Sequence, residues 1–228
     1  MPIYKGSTKI KELYIGNTKI KEVYHGSTLV FRSSQYSPEQ IVFESSTPGT
    51  YTLNLLESGK YEVTVVAGGA GSKYFRRSTV FQSHIVIACG GASGSCFKGD
   101  IYLPSGNQTI IVGAAGKGNM SSSSSNMIGG VSSIGSIVSC PSQKSTGSSS
   151  VYGAYQNNGS PTVTSTVYKT YINAHGNDGE SIQIDDGTRA GGKSTYDGTT
   201  TGYGAGASAN HSYANGKAGY VKIVYIGG

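Results

Sequence analysis

Residues that build helices are scarce in this sequence. Beyond Leu56 the only leucine is Leu103, and beyond Glu62 the only glutamate is Glu180, so most of the 228 residues lack the side chains that favour an α-helix. Charged residues make up only 13%, which argues against ordinary disorder, where low hydrophobicity accompanies high net charge. The 35 glycines follow no strict triplet period, so a collagen-like rod is excluded. Cysteine is limited to Cys89, Cys96 and Cys140, an odd set that implies no disulfide framework; the Cys89–Cys96 spacing is wrong for a zinc knuckle. No apolar run reaches the length of a bilayer span, so no membrane insertion is expected. No apolar h-region follows Met1–Lys5, so the expectation is a chain without a signal peptide, made in a cytoplasm. What remains is 17 tyrosines with many threonines, valines and isoleucines, the residues that suit pleated strands. An ordered, loop-rich, all-β protein is expected.

The formal charge is +6 and thinly spread. Its densest spot is Lys73-Tyr-Phe-Arg76-Arg77, and a second set of lysines lies in the first 22 residues. Neither forms the continuous basic stripe of a nucleic-acid footprint, so no nucleic-acid partner is expected.

The chain opens with a ten-residue repeat. Tyr4-Lys-Gly-Ser-Thr-Lys-Ile-Lys-Glu-Leu is followed by Tyr14-Ile-Gly-Asn-Thr-Lys-Ile-Lys-Glu-Val and then by Tyr24-His-Gly-Ser-Thr-Leu-Val. Ten residues equal eight of strand plus a two-residue turn, and Gly6-Ser7, Gly16-Asn17 and Gly26-Ser27 have type II′ hairpin chemistry. With Gly16-Asn17 at a tip, Ile15 faces Thr18, Leu13 faces Ile20, Glu12 faces Lys21, Lys11 faces Glu22 and Ile10 faces Val23. The next tip sets Tyr24 against Leu29 and Val23 against Val30. Apolar meets apolar and opposite charges meet, which fixes the register. A four-strand meander over 1–32 is therefore expected. One of its faces carries Tyr4, Leu13, Ile15, Ile20, Tyr24, Leu29 and Phe31, which must pack on something else and so suggests an attachment or oligomerisation module.

Residues 33–46 read as a linker, and 47–228 as a glycine-rich β domain. Strands are expected at 47–56, 60–67, 84–88, 98–103, 108–112, 162–172 and 219–225, with long Ser, Gly and Asn segments at 116–126, 141–160 and 187–215. The Tyr-Glu-Val-Thr-Val-Val strand ends in Gly68-Gly. Gly90-Gly-Ala-Ser-Gly-Ser, a Thr-Ile-Ile-Val-Gly113 strand, Gly129-Gly-Val-Ser-Ser-Ile-Gly135 and Gly202-Tyr-Gly-Ala-Gly206 come after it, and Gly219-Tyr-Val-Lys-Ile-Val-Tyr225 closes the chain. This order resembles the glycine-rich domain of bacteriophage tail fibres and related tail-tip receptor-binding proteins. The ten-residue repeats are similar to N-terminal modules of phage tail proteins. The resemblance implies a β-sandwich-like body with closely packed glycine-rich segments, carried on a virion tail and contacting the host surface. Glycine runs here are short and interrupted by serine, with five serines at 121–125, so the layered polyglycine helices of some fibre-tip adhesins are not expected.

Several motifs fail. Ile111-Val-Gly-Ala-Ala-Gly-Lys117-Gly has neither the spacing nor the Ser or Thr of a phosphate loop. Gly202–Ala207 does not complete a dinucleotide fingerprint, and Gly91–Ser95 lacks the last glycine of a nucleophile elbow. His25, His84, His175 and His211 have no metal-ligand spacing. The Asn173–Glu180 and Asp185-Asp186-Gly187 stretches have calcium-like oxygens but no ordered ligand positions, and turn chemistry explains them. No metal and no cofactor are expected. Tyr152, Tyr155, Tyr196, Tyr203, His211 and Tyr213 lie in Ser/Gly/Asn-rich stretches, the mixture used by recognition loops, and are the candidate receptor contacts.

The expectation is thus a non-enzymatic receptor-binding component of a phage tail, an adhesin of the virion. It would form a homo-oligomer, with a trimer favoured, joined to other tail proteins through residues 1–32 and binding a host cell-surface glycan or protein. The alternatives are a polysaccharide-degrading tail enzyme, with Asp178, Glu180, Asp185 and Asp186 as its acids, and a bacterial glycine-rich surface adhesin.

Overall fold

The computed structural model describes residues 4–5, 8–9, 13–77, 85–118, 128–142, 159–182, 188–209 and 214–227. Every named element is a β-strand and every strand pairing is antiparallel.

The repeats form hairpins in tandem. β1 (Tyr4–Lys5) pairs with β2 (Thr8–Lys9), β3 (Leu13–Ile15) with β4 (Thr18–Ile20), and β5 (Glu22–His25) with β6 (Thr28–Arg32). Leu13 faces Ile20 and Ile15 faces Thr18, as the repeat requires. Gly16 and Gly26 have φ of 60° and 63°, while the residue after each keeps a negative φ, the signature of a type II′ turn. Two expectations fail. Among the described residues the hairpins are separate two-stranded ribbons and not one meander: the strand over 18–25 breaks at Lys21, whose carbonyl accepts from Ser33 N (2.8 Å). Tyr24 faces Leu29, but a bulge then sets Val23 against Phe31 and not Val30. Without the bulge Glu22 would face Phe31; with it Glu22 faces Arg32. The expected Lys11 and Glu12 pairs lie outside the described residues.

The body is a sandwich of two five-stranded sheets. The first has the order β17 (Val167–Ala174), β12 (Cys96–Leu103), β9 (Gly59–Val66), β19 (Tyr220–Gly227), β7 (Gln40–Ser45). The second runs β16 (Thr162–Val163), β15 (Val138–Cys140), β14 (Ser132–Ile134), β13 (Gly106–Val112), β8 (Gly49–Leu55). Alternation along β9 sends Tyr61, Val63 and Val65 inward, where they meet Phe97, Ile101, Ile110, Ile134, Val138, Val221 and Ile223 in one core. Tyr36, Tyr61 and Tyr225 close one end of that core, with Tyr61–Tyr225 centroids 5.2 Å apart and Tyr36 Oη accepting from Leu56 N (2.9 Å). All three cysteines are buried, and none is in a disulfide.

The linker assignment over 33–46 is corrected here. Residues 40–45 are the edge strand β7, paired with β19, and Tyr36 is in the core. The single strand expected over 162–172 is two strands in opposite sheets, because the chain crosses over at 164–166. A third sheet, of order β10 (Lys73–Arg77), β11 (Ile85–Cys89), β18 (Ser181–Ile182), lies away from the sandwich.

Candidate functional site

Eight segments outside the strands extend the sandwich at one end: 67–72, 90–95, 113–118, 128–131, 175–180, 188–194, 204–209 and 214–219, with a single β-bridge between Arg189 and Ala209. Their hydrogen bonds reveal what they are. Ala67 and Ala70 donate to Ser95 and Ala92, Gly68 donates to Gly130, and Gly69 and Ser72 donate to Lys217 and Ala214. Successive amides therefore point to three different neighbours, and every third amide returns to the same one. A strand, with period two, cannot do this. A polyproline-II-type helix, with three residues per turn and no internal hydrogen bonds, does. Gly90 and Ser93 repeat the pattern on Glu180 and Asn177, Gly91 and Gly94 on Ala207 and Gly204, and Gly216 and Gly219 on Gly116 and Gly113. In every such pair one number rises as the other falls, so these rods are antiparallel, whereas Gly116 N→Gly69 O (2.8 Å) and Ala207 N→Ala70 O (3.0 Å) join rod 67–72 to rods that run in its own direction. Rod 67–72 is surrounded on all sides, with Ser142 Oγ donating to Gly68 O (2.7 Å) to complete the ring.

The expectation that short, serine-interrupted glycine runs cannot build layered polyglycine helices is thus overturned. Glycine is needed only on the helix face pressed against a neighbour's backbone. A Cβ on Gly91 or Gly94 would stand 2.1 or 2.2 Å from Ala70 O or Ala67 O, and one on Gly216 or Gly219 would stand 2.3 Å from Gly69 O or Val66 O. The positions between them tolerate Ala, Ser, Asn or Lys. Likewise 188–194 and 204–209 are rods of the array and not one long loop over 187–215.

This packing sorts the chain by end. Rods 67–72, 113–118 and 175–180 leave the sandwich strands β9, β13 and β17, and rods 90–95, 128–131 and 214–219 run back into β12, β14 and β19. The chain therefore leaves the array at Ser72, Gly118, Glu180 and Ala209 on the end remote from the sandwich, and returns there at Gly90, Ile128, Thr188 and Ala214. Ser72 and Ala214 clasp each other at that end: Ser72 N donates to Ala214 O (2.9 Å) and Ala214 N to Ser72 Oγ (2.7 Å). Lys73, at the root of the hairpin β10–β11, is 2% exposed, and burial pulls its ammonium below the usual lysine range.

The candidate residues divide accordingly. Tyr196 and Tyr203 lie in the turn that joins two rods at the sandwich end. Tyr203 stacks on Tyr220, with centroids 4.3 Å apart and planes 3° from parallel, and Tyr196 lies 6.0 Å from Tyr220. Val66, Cys96 and Ile172 pack in the same cluster. Burial, then the hydrogen bond to Glu44 (2.5 Å), pushes the Tyr220 phenol up. The structure therefore does not bring these two tyrosines to the remote end. Tyr152, Tyr155, His211 and Tyr213 lie outside the described residues, although the 210–213 connection starts and finishes at that end. Asp178 and Glu180 are exposed on rod 175–180, Ala190 N donating to Glu180 Oε2 (3.3 Å), while Asp185 and Asp186 lie outside the described residues. Among the described residues no group of His, Cys, Asp and Glu has the geometry to hold a metal. The phosphate-loop-like stretch is rod 113–118, in which Gly113, Gly116 and Gly118 N donate to Ser132 Oγ, Gly69 O and Asn215 Oδ1.

A family model described as a glycine-rich domain matches residues 45–228. No curated protein matches the chain.

Proposed function

The chain belongs to the glycine-rich domain family, and on that premise we propose that it is a non-enzymatic receptor-binding component of a phage tail. The observation that carries the reading is the convergence of four connections on the array's remote end. A lattice of backbone hydrogen bonds holds their roots, so residues there vary without cost to the core. The connections at 119–127 and 210–213 are rich in Ser, Asn, Tyr and His, the composition of adaptable contact loops. At the other end of the chain the repeat hairpins leave Ile15 (74%), Tyr14 (53%) and Tyr24 (54%) exposed, which suits a module covered by tail partners or by further copies of the chain.

The test replaces 119–127 and 210–213 with Gly/Ser linkers of equal length and compares binding of the labelled proteins to a panel of bacterial strains. The expected result is strain-specific binding by the parent, lost in the replacement with the thermal transition unchanged. Absence of binding to every strain, or binding that survives replacement, overturns the reading. Light scattering is expected to give a trimer for the full chain and a monomer once residues 1–32 are removed.

A further inference from the structure

The outer face of the first sheet carries a second aromatic surface, apart from the Tyr196–Tyr203–Tyr220 cluster. It is made by irregular pairing of β17 with β12. Lys98 faces Ile172 but Gly99 faces Thr170, and Asp100 faces Lys169 but Ile101 faces Val167. The two residues passed over are Tyr171 and Tyr168. Each sits in a bulge, which re-aims a side chain that regular alternation would send elsewhere. Gly99 permits the distortion, since a Cβ there would lie 2.6 Å from Lys169 O.

Both rings are held by cations on the same face. Lys98 and Lys169 place Nζ 5.6 and 4.5 Å from the Tyr171 centroid, and Lys60 places Nζ 5.5 Å from that of Tyr168. Lys60 is also the Cα partner of Tyr102 and bonds Asp100 Oδ2 at 2.9 Å. Tyr168, Tyr171 and Tyr102 are 53%, 44% and 39% exposed. Asp100, between them on β12, is 4% exposed, and its Oδ1 has no hydrogen-bond partner. An unsatisfied buried carboxylate oxygen is costly, and the fold has no need of a charge on the outside of a sheet.

We propose that Tyr102, Tyr168 and Tyr171, with Asp100 set among them, form a binding surface for an oligosaccharide chain. Sugar rings have apolar C–H faces that stack on tyrosine and hydroxyls that donate to a carboxylate; the tyrosine hydroxyls supply further polar contacts at the rim. Lysines that pin the rings lower the ordering cost of binding. A polyphosphate is disfavoured, because Asp100 and Glu62, the latter 3.6 Å from Lys98, place negative charge in the same surface. β17 is an edge strand, so a long chain can lie across it without obstruction. The surface is on the flank of the sandwich and stands independently of the remote-end reading.

The test titrates the full chain with oligosaccharides of glucose, N-acetylglucosamine and galacturonic acid and with bacterial capsule and O-chain fragments. Binding is followed by calorimetry and by tyrosine fluorescence, which no tryptophan obscures. Saturable binding of at least one of these is expected. The Tyr168→Ala/Tyr171→Ala double variant, altered only at exposed side chains, is expected to weaken it about tenfold or more; Asp100→Asn weakens it as well. No binding by the parent, or full binding by the double variant, overturns the proposal. Loss of cell binding on replacing 119–127 and 210–213, with saccharide titrations intact, separates this surface from the remote end.

Discussion

Gly206 is the sharpest probe of the array. Its φ is not in the left-handed region, so alanine fits its backbone, and by chain entropy alone Gly206→Ala would stabilise the fold by about 0.4–1 kcal/mol. The contact says otherwise: a Cβ there would stand 1.8 Å from Gly91 O, where an ordinary C···O contact needs about 3.3 Å. Rods 90–95 and 204–209 must then part by more than an ångström. Gly91 N→Ala207 O (2.7 Å), Gly206 N→Gly192 O (2.8 Å) and Ala207 N→Ala70 O (3.0 Å) all cross or adjoin that contact. Stretching two or three buried pairs at about 1–3 kcal/mol each gives a loss of roughly 2–9 kcal/mol. That is a large share of the roughly 5–15 kcal/mol that holds a domain folded. Gly198 is the control: it has φ of 71° and open space around it, so Gly198→Ala costs about 1 kcal/mol in backbone strain alone. Urea unfolding of the two variants decides it. If Gly206→Ala proves no worse than Gly198→Ala, the rods are not in backbone contact and the account of the array is wrong.

The other expectations are more local. Ser132 Oγ is buried, donates to Val66 O (2.7 Å) and accepts from Gly113 N (2.9 Å), so Ser132→Ala orphans two backbone groups and lowers unfolding free energy by roughly 2–4 kcal/mol; a loss under about 1 kcal/mol in a urea melt refutes the bridge. Burial raises the phenols of Tyr61, Tyr220 and Tyr225 above 10.0 and pushes the Cys96 thiol from 9.0 up to about 12. Since the folded chain holds these protons more tightly than the unfolded one, their stability contribution is complete below 9.0 and is lost as pH rises through 9.0–10.0 and beyond. Urea midpoints that stay level or rise up to about pH 11 contradict that sign. The same burial predicts that a thiol reagent labels Cys96 and Cys140 only after denaturant is added; fast labelling of the native chain at neutral pH would place them at the surface.

The parts of this fold that were legible in the sequence obey a period of two. β9, β12, β13 and β19 alternate Tyr, Val, Ile and Leu against polar residues. The hairpin register at Leu13–Ile20 followed from a repeat that pairs like with like. β7 was hidden because Gln40-Ile-Val-Phe43 follows a Ser-Pro-Glu turn and the strand is covered on one side only, so its pattern is half polar. β14 and β15 were hidden by serine: Ser132 is buried not as a hydrophobe but because its hydroxyl bonds Val66 O and Gly113 N where the array and sandwich meet. Of the candidate residues, Tyr196 and Tyr203 were chosen by composition, which does not distinguish a loop at the remote end from a turn folded back on Tyr220.

The array itself was written in the sequence, but with a period of three that spacing rules for helices and strands do not score. Gly68 and Gly71 face rod 113–118, Gly91 and Gly94 face 67–72, and Gly216 and Gly219 face Gly69 and Val66, each pair three apart. One face in three of such a helix must be bare, and two where a rod is enclosed: Gly68 and Gly69, Gly90 and Gly91, and Gly191 and Gly192 each leave no room for a Cβ. A chain of Gly-Gly-Ala-Ser-Gly-Ser therefore builds it as well as a glycine run does, and the remaining side chains point to neighbours with more room. Hydrogen bonding then performs the task that apolar burial performs in the sandwich. Each rod makes no hydrogen bonds within itself, so its amides are directed outward, chiefly to other rods, and removing one rod exposes the amides of several. The sandwich end supplies the register, through strands that enter and leave every few rods, and the remote end inherits a fixed spacing of chain exits without a hydrophobic core beneath it.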